Sequence, residues 1–182
     1  VRSIRTSLGQ SSVDWSPDGR WLAVGSSVLD LAANDQPTEL RISTDRSALS
    51  PDGQFIAANV DHGVAIRSVE SGQTVATCVG HAQPRVTAVD WSPNGRFVAT
   101  AGEDDSVRVW DAESASEIAV LRGHTREVGD VCWSPDSTEL ASVSFGTIKV
   151  WKFDELARRW NSAQARQGIR NLIWSPDGAT IA

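Results

Sequence analysis

The stretch from Gly80 to Lys152 contains one unit written twice. The first copy opens on Gly80-His81, passes through Val86-Thr87-Ala88-Val89-Asp90-Trp91-Ser92-Pro93-Asn94-Gly95 and closes on Val107-Arg108-Val109-Trp110-Asp111. The second opens on Gly123-His124, passes through Val128 to Ser137 and closes on Ile148-Lys149-Val150-Trp151-Lys152. The step is 43 residues between the Gly-His pairs and 42 between the Ser-Pro pairs. A period of this size belongs to chains built by stacking one supersecondary unit on the next, since a single unit cannot bury its own apolar face.

The Ser-Pro punctuation runs beyond these two copies. It falls at Ser16-Pro17-Asp18-Gly19, Ser50-Pro51-Asp52-Gly53, Ser92-Pro93-Asn94-Gly95, Ser134-Pro135-Asp136-Ser137 and Ser175-Pro176-Asp177-Gly178, in steps of 34, 42, 42 and 41 residues. Pro pre-sets φ, Asp or Asn bonds nearby backbone, and Gly accepts positive φ, so each is a tight turn between two strands. Around the turns, Val86–Trp91 and Val128–Trp133 read as strand a, Arg96–Ala101 and Glu139–Val143 as strand b, and Ser106–Trp110 and Thr147–Trp151 as strand c. Glu117–Leu121 follows as strand d. Polar and apolar residues alternate along strand c, as a half-buried strand requires.

With Gly-His opening and Trp-Asp closing the unit, the pattern resembles the WD repeat of β-propellers. The resemblance implies an all-β fold in which four short antiparallel strands make one blade. The expected architecture is an open arc of such blades, truncated from a larger, seven-bladed ring. The chain divides into residues 1–11, strand d of a preceding blade with Val1–Thr6; 12–45, a shortened first repeat; 46–83, a degenerate second; 84–126 and 127–168, the two full copies; and 169–182, the start of a fifth with Ile169–Trp174 as strand a. In the first repeat Val13–Trp15, Arg20–Gly25, Val28–Leu31 and Thr38–Ile42 are expected strands. In the second, Arg67 stands where Trp110 does, Asp61 still matches Asp104, and His62 is expected to sit exposed in a hairpin. The charged stretch from Lys152 to Arg159 fits either a helical turn or an extended strand d. The chain has no Met and stops inside what should be a strand, so a fragment is expected, its remaining blades supplied by flanking sequence or another copy. Ser-Pro-Asp-Gly turns also punctuate the propellers of serine peptidases and of TolB-like proteins, but those lack the paired Gly-His and Trp-Asp signatures.

His81, Thr100, Asp104 and Trp110, with His124, Ser142 and Trp151 in the next unit, invite a hydrolase reading. In the family the chain resembles, such residues form a buried hydrogen-bond chain from indole to hydroxyl to imidazole to carboxylate. A buried imidazole and hydroxyl must be paired, and a constellation repeated in successive blades is unlike an active site, which is unique and cleft-exposed. The fourth unit has no Asp at the position of Asp104. No nucleophile elbow, P-loop, GxGxxG or paired-carboxylate motif accompanies them, and no cofactor is expected. Cys78 and Cys132 lie far apart with no ligand cluster, so both read as buried thiols with neither a disulfide nor a metal. Reduced thiols suggest a cytoplasmic setting.

The formal net charge of −6 and pI near 5.0 argue against nucleic-acid binding, because an electronegative body repels phosphate. No apolar run approaches a membrane span. The expected function is therefore a non-enzymatic scaffold presenting a rigid propeller face to a protein or peptide partner. The alternative is a regulatory or sensor propeller fused to a kinase, NTPase or protease domain outside the segment. Partner-facing candidates are Arg85, Glu103, Asp105, Arg126, Glu127 and Phe145, from the d–a loops and b–c hairpins. Phe145, an aromatic in a hairpin otherwise polar, reads either as an anchor for a partner or as filler for the missing Asp.

Overall fold

A computed structural model describes residues 13–16, 19–24, 27–32, 38–41, 46–153, 160–164 and 175. Sixteen strands account for the regular structure of these residues, and none of it is helical. Blade I contains β1 (Val13–Trp15), β2 (Trp21–Val24), β3 (Ser27–Asp30) and β4 (Thr38–Arg41). Blade II contains β5 (Ser47–Leu49), β6 (Phe55–Val60), β7 (Gly63–Ser68) and β8 (Thr74–Val79). Blade III contains β9 (Val86–Trp91), β10 (Phe97–Gly102), β11 (Ser106–Asp111) and β12 (Glu117–Arg122). Blade IV contains β13 (Asp130–Trp133), β14 (Glu139–Ser144), β15 (Thr147–Lys152) and β16 (Trp160–Gln164).

Each blade is a four-stranded antiparallel sheet in which strands pair in chain order. The charged stretch after Trp151 therefore leads to a strand d: β16 pairs with β15 in the register Trp151↔Trp160 to Thr147↔Gln164. The expected strands Val1–Thr6 and Ile169–Trp174 lie outside the described residues, as do residues 154–159.

The Ser-Pro turns close as their chemistry demands. The N–H of the fourth residue reaches the carbonyl of the first at 2.8 Å in Ser16–Gly19, Ser50–Gly53 and Ser92–Gly95, and at 2.9 Å in Ser134–Ser137. The opening Ser hydroxyl then accepts the N–H two residues past the turn, at 2.8–2.9 Å from Trp21, Phe55, Phe97 and Glu139. The fourth residue has positive φ in every case, 69–76° for the three glycines and 61° for Ser137. A serine tolerates that backbone at a cost. Here its hydroxyl is tied down, accepting the Asn94 N–H of the preceding blade at 3.0 Å.

The core lies between blades, not within them. Sheets stack in chain order, I on II, II on III and III on IV, so the described residues form an arc rather than a closed ring. Strand b is sandwiched on both faces: every residue of β10 is buried. Trp133 stacks on Phe97 across the III/IV junction at 5.9 Å, while Trp91 belongs to the II/III cluster with Ala57, Val64 and Ile66. Two carboxylates pin neighbouring inner strands together. Asp14 of β1 accepts the Leu49 N–H of β5 at 2.9 Å, and Asp90 of β9 accepts the Trp133 N–H of β13 at 2.6 Å. Burial pushes the Asp90 carboxyl up to about 7; the Trp133 N–H works against that rise, and the charge of Asp14 adds to it. No helix of the described residues is long and apolar enough to cross a membrane.

Candidate functional site: the loop clamps and the face they support

The antiparallel meander places the b–c hairpins and the d–a loops at one end of the blades and the Ser-Pro turns at the other. At the hairpin end of blade III the structure brings His81, Thr100, Asp104 and Trp110 into one hydrogen-bonded chain. The Trp110 indole N–H donates to the Thr100 hydroxyl at 2.9 Å. That hydroxyl donates to His81 Nε2 at 2.8 Å, and His81 Nδ1–H donates to Asp104 at 2.9 Å. Only the neutral imidazole with its proton on Nδ1 satisfies both neighbours. Gly102 makes room for it: a Cβ there would lie 2.5 Å from His81 Nδ1.

Asp104 does more than end the chain. Its carboxylate accepts the Ala82 N–H at 2.8 Å and the Ser106 hydroxyl at 2.6 Å, with an Arg108 guanidinium nitrogen 3.6 Å away. Burial by itself would raise this carboxyl, but the bonds from Ser106, Ala82 and His81 outweigh it and hold the group well below the usual carboxylate range. Burial also lowers His81, despite the adjacent carboxylate. The d–a loop is thus fastened to hairpin Glu103–Asp105 by both its imidazole and its backbone.

Arg108, Ser106 and the pinning acids Asp14 and Asp90 are contributors that the motif reading passed over. Arg108 is buried and pairs with Glu117 as well as Asp104. A charged residue amid the apolar positions of strand c was its signal, and the twice-written Asp-Trp-Ser-Pro was that of the acids.

Blade IV keeps three members. Trp151 donates to the Ser142 hydroxyl at 2.8 Å, and that hydroxyl donates to His124 Nε2 at 2.8 Å. The hairpin is two residues, Phe145-Gly146, and no described carboxylate meets the imidazole. Burial first, then the charge of Lys149, lowers His124 to about 4. The loop is instead held by Ser144, at the Gly102 position, which donates to the Arg126 and Glu127 carbonyls at 3.0 and 2.8 Å.

In blade II the side chains have gone and the clamp has changed. Asp61 is exposed and Arg67, at the Trp110 position, is half-buried. His62 departs from the expected solvated turn: at φ 63° it is half-buried, and Nδ1–H donates to the His81 carbonyl at 2.7 Å. Its own carbonyl accepts the Gly80 and His81 N–H groups at 2.9 Å. The loop carrying His81 is therefore gripped from both sides.

Thr100 and Ser142 are 0 % exposed. Their hydroxyls face the interior, where no substrate reaches them, and the arrangement acts as a clamp on the loop. Cys78 and Cys132 are free thiols, one buried and one half-buried. Desolvation, reinforced by Asp111, pushes Cys78 up to about 11.

The surface so supported carries the six partner-facing candidates. Arg85 and Glu103 join in an ion pair of 3.1 Å at the rim of blade III. Asp105 and Glu127 are half-exposed. Arg126 lies over the Phe145 ring, its guanidinium carbon 5.0 Å from the centroid. Phe145 is 71 % exposed with φ 42°, so its ring stands on the surface and does not fill the space left by the missing acid.

The profile of the family described as WD domain, G-beta repeat matches residues 3–29, 72–111 and 115–152, more than half of the chain. Among curated proteins the chain is similar to the protein HIR1 of Cryptococcus neoformans, 30% identical over 178 residues that cover 94% of this chain and 18% of the relative. It is similar to the WD repeat-containing protein slp1 of Schizosaccharomyces pombe, 30% identical over 94% of this chain and 37% of that one. A third relative, cell division cycle 20.1 of Arabidopsis thaliana, a cofactor of the APC complex, is 27% identical over 91% of this chain and 40% of its own length. The chain thus spans two fifths or less of the length of these relatives. With the repeated blade, the loop clamps and the matched repeats together, the chain belongs to the WD-repeat family of β-propeller proteins.

Proposed function

We propose that this chain is a non-enzymatic interaction module whose hairpin face docks a protein or peptide partner. The observation that carries the reading is the Arg126–Phe145 pair. An aromatic ring that is 71 % exposed, in a left-handed turn conformation and capped by a guanidinium, gains by being covered. Large aromatics and arginines are the side chains that most often anchor interfaces. Both stand on loops fixed from beneath by buried hydrogen bonds, so little order is lost on binding. The Arabidopsis relative, named as a cofactor of a complex, works in an assembly, and this supports the same role here.

The reading is tested by placing a photo-crosslinking benzoylphenylalanine at Phe145 and, as a control, at Val79 on an outer strand. The Phe145 position should trap a discrete partner that the Val79 position does not, and Arg126→Glu should abolish that adduct. Identical adducts from both positions would defeat the proposal.

A further inference from the structure

At each junction between blades, one residue just past strand c of the later blade plugs the space between two others. Val69, Ala112 and Phe153 occupy this position, each donating its N–H to the carbonyl before strand b of its own blade: to Gln54 and Arg96 at 2.9 Å, and to Thr138 at 2.7 Å. The plug stands beside the last residue of its own strand a and the first of strand b in the preceding blade. In the I/II junction these are Leu49 and Trp21, and Val69 is fully packed among them. In the III/IV junction they are Trp133 and Phe97, and the Phe153 ring fits between them at 5.5 and 5.2 Å.

In the II/III junction the neighbours are Trp91 and Phe55, both aromatic, but the plug is Ala112. A cleft of about 530 Å³ opens there, walled by Phe55, Ile66, Val75, Ala76, Trp91 and Ala112. Its walls are held in place: the Trp91 indole N–H donates to the Gly95 carbonyl at 3.1 Å. Val75 is the extra residue of a bulge in β8, where Ile66 pairs with Ala76 and Arg67 with Thr74. It is 56 % exposed on the cleft's edge. The exposed acids Asp52 and Glu113 also line the cleft, and among the described residues no Lys or Arg does.

We propose that this cleft receives an aromatic side chain of a peptide partner, flanked by basic residues. The next junction shows what fits, since Phe153 fills the corresponding space between an equivalent Phe and Trp. The acidic lining selects the flanks. It also disfavours a second copy of the chain, whose net charge of −6 would set acid against acid. A cleft of this size is within the range that holds a compact ligand group. It lies at the Ser-Pro end of the blades, away from Phe145, so its failure would leave the docking face proposed above untouched.

The test is a nuclear magnetic resonance titration of the full chain with the peptide acetyl-Arg-Phe-Arg-amide, following the Trp91 indole N–H, assigned by Trp91→Phe. A saturable shift is expected, with binding at least about tenfold weaker for acetyl-Arg-Ala-Arg-amide and acetyl-Glu-Phe-Glu-amide. Ala112→Phe should abolish the shift, and the pair Asp52→Asn and Glu113→Gln should weaken it several-fold. Should Ala112→Phe fail to fold by circular dichroism, Val75→Lys on the exposed edge serves instead and should weaken the shift. Equal binding of the Ala peptide, or unchanged binding by the plugged or charged variant, overturns the proposal. So does self-association that Ala112→Phe removes in a chain that ignores the peptide.

Discussion

Blades III and IV are built on one frame, with Thr100 and Ser142 42 residues apart at the same register, yet they fasten their loops in opposite ways. Blade III grips its loop chiefly through donors: the His81 imidazole and the Ala82 N–H both point at the Asp104 carboxylate. One backbone bond runs the other way, from the Glu103 N–H to the Arg85 carbonyl at 3.2 Å. Blade IV grips through acceptors, the Arg126 and Glu127 carbonyls, both bound by Ser144. The difference traces to two positions. Gly102 leaves space for an imidazole held by an acid, whereas a hairpin shorter by one residue removes the acid and admits Ser144. In both blades the loop is anchored, and the anchor itself is replaceable.

The largest expected effects come from the donor-type clamp. Asp104→Ala or His81→Ala leaves several buried groups without partners and should cost about 1–3 kcal/mol in urea denaturation. His124→Ala should cost less, since its network has no acidic member. Equal losses in the two blades would mean that Asp104 adds nothing to the blade III clamp.

Exchanging the second position sharpens the contrast between the blades. Gly102→Ser forces a Cβ to within 2.5 Å of His81 Nδ1, against a side chain locked at both nitrogens, and should cost about 1–3 kcal/mol. The reverse change, Ser144→Gly, loses one hydroxyl proton shared between the Arg126 and Glu127 carbonyls and should cost about 1 kcal/mol. A neutral Gly102→Ser, read by the same denaturation, would mean that the His81 site is looser than its geometry.

A smaller effect lies in the pH dependence. His124 is held at about 4 in the folded chain against 6.5 when unfolded, so below 6.5 the unfolded state binds the extra proton. Its contribution to stability is complete above pH 6.5 and declines as pH falls toward 4. His81 is lowered too and adds in the same direction. His124→Gln should remove its part of that decline, read as the difference in thermal midpoint between variant and parent from pH 4 to 7. The difference is needed because Asp90, raised to about 7, changes stability in the opposite direction over the same range. An unchanged slope would show that His124 is solvated.

Much of this frame was legible in the chain, because each signal is local. A Ser-Pro-Asp-Gly turn needs only its own four residues, whereas the alternation along β11 reads as a half-buried strand and the structure corrects it. Ser106 and Arg108 are buried as well as Val107 and Val109, because neighbouring blades cover both faces. The side chains of the clamps were marked by the resemblance to the WD repeat, with His81, Thr100 and Trp110 returning as His124, Ser142 and Trp151 while Asp104 has no counterpart. What was not legible depends on partners far apart in sequence. His62 looked like a solvated turn because its acceptor, the His81 carbonyl, arrives from the following loop. Asp90 reaches Trp133 across 43 residues, and the unfilled space beside Ala112 is defined by blade II and blade III together. Whether Phe145 pointed in or out rested on the shortened hairpin, whose backbone geometry its letters do not specify.

The smallest expected effect is none at all, and it separates a clamp from a catalytic relay. Blade III has carboxylate, imidazole and hydroxyl in sequence, and blade IV has imidazole and hydroxyl, so either could be mistaken for a hydrolase site. In a working relay the imidazole takes a proton from a hydroxyl that is free to attack. Here the Thr100 oxygen already accepts from Trp110 while its proton goes to His81, and Ser142 is occupied in the same way by Trp151 and His124. Both hydroxyls are 0 % exposed, so an electrophile could not approach without opening the blade. A serine-directed fluorophosphonate should therefore label neither residue in the folded chain, as read by intact-mass spectrometry. Stoichiometric labelling of Ser142 but not Thr100 would show that losing the acid converts the clamp into a reactive site; labelling of both would overturn the clamp in each blade.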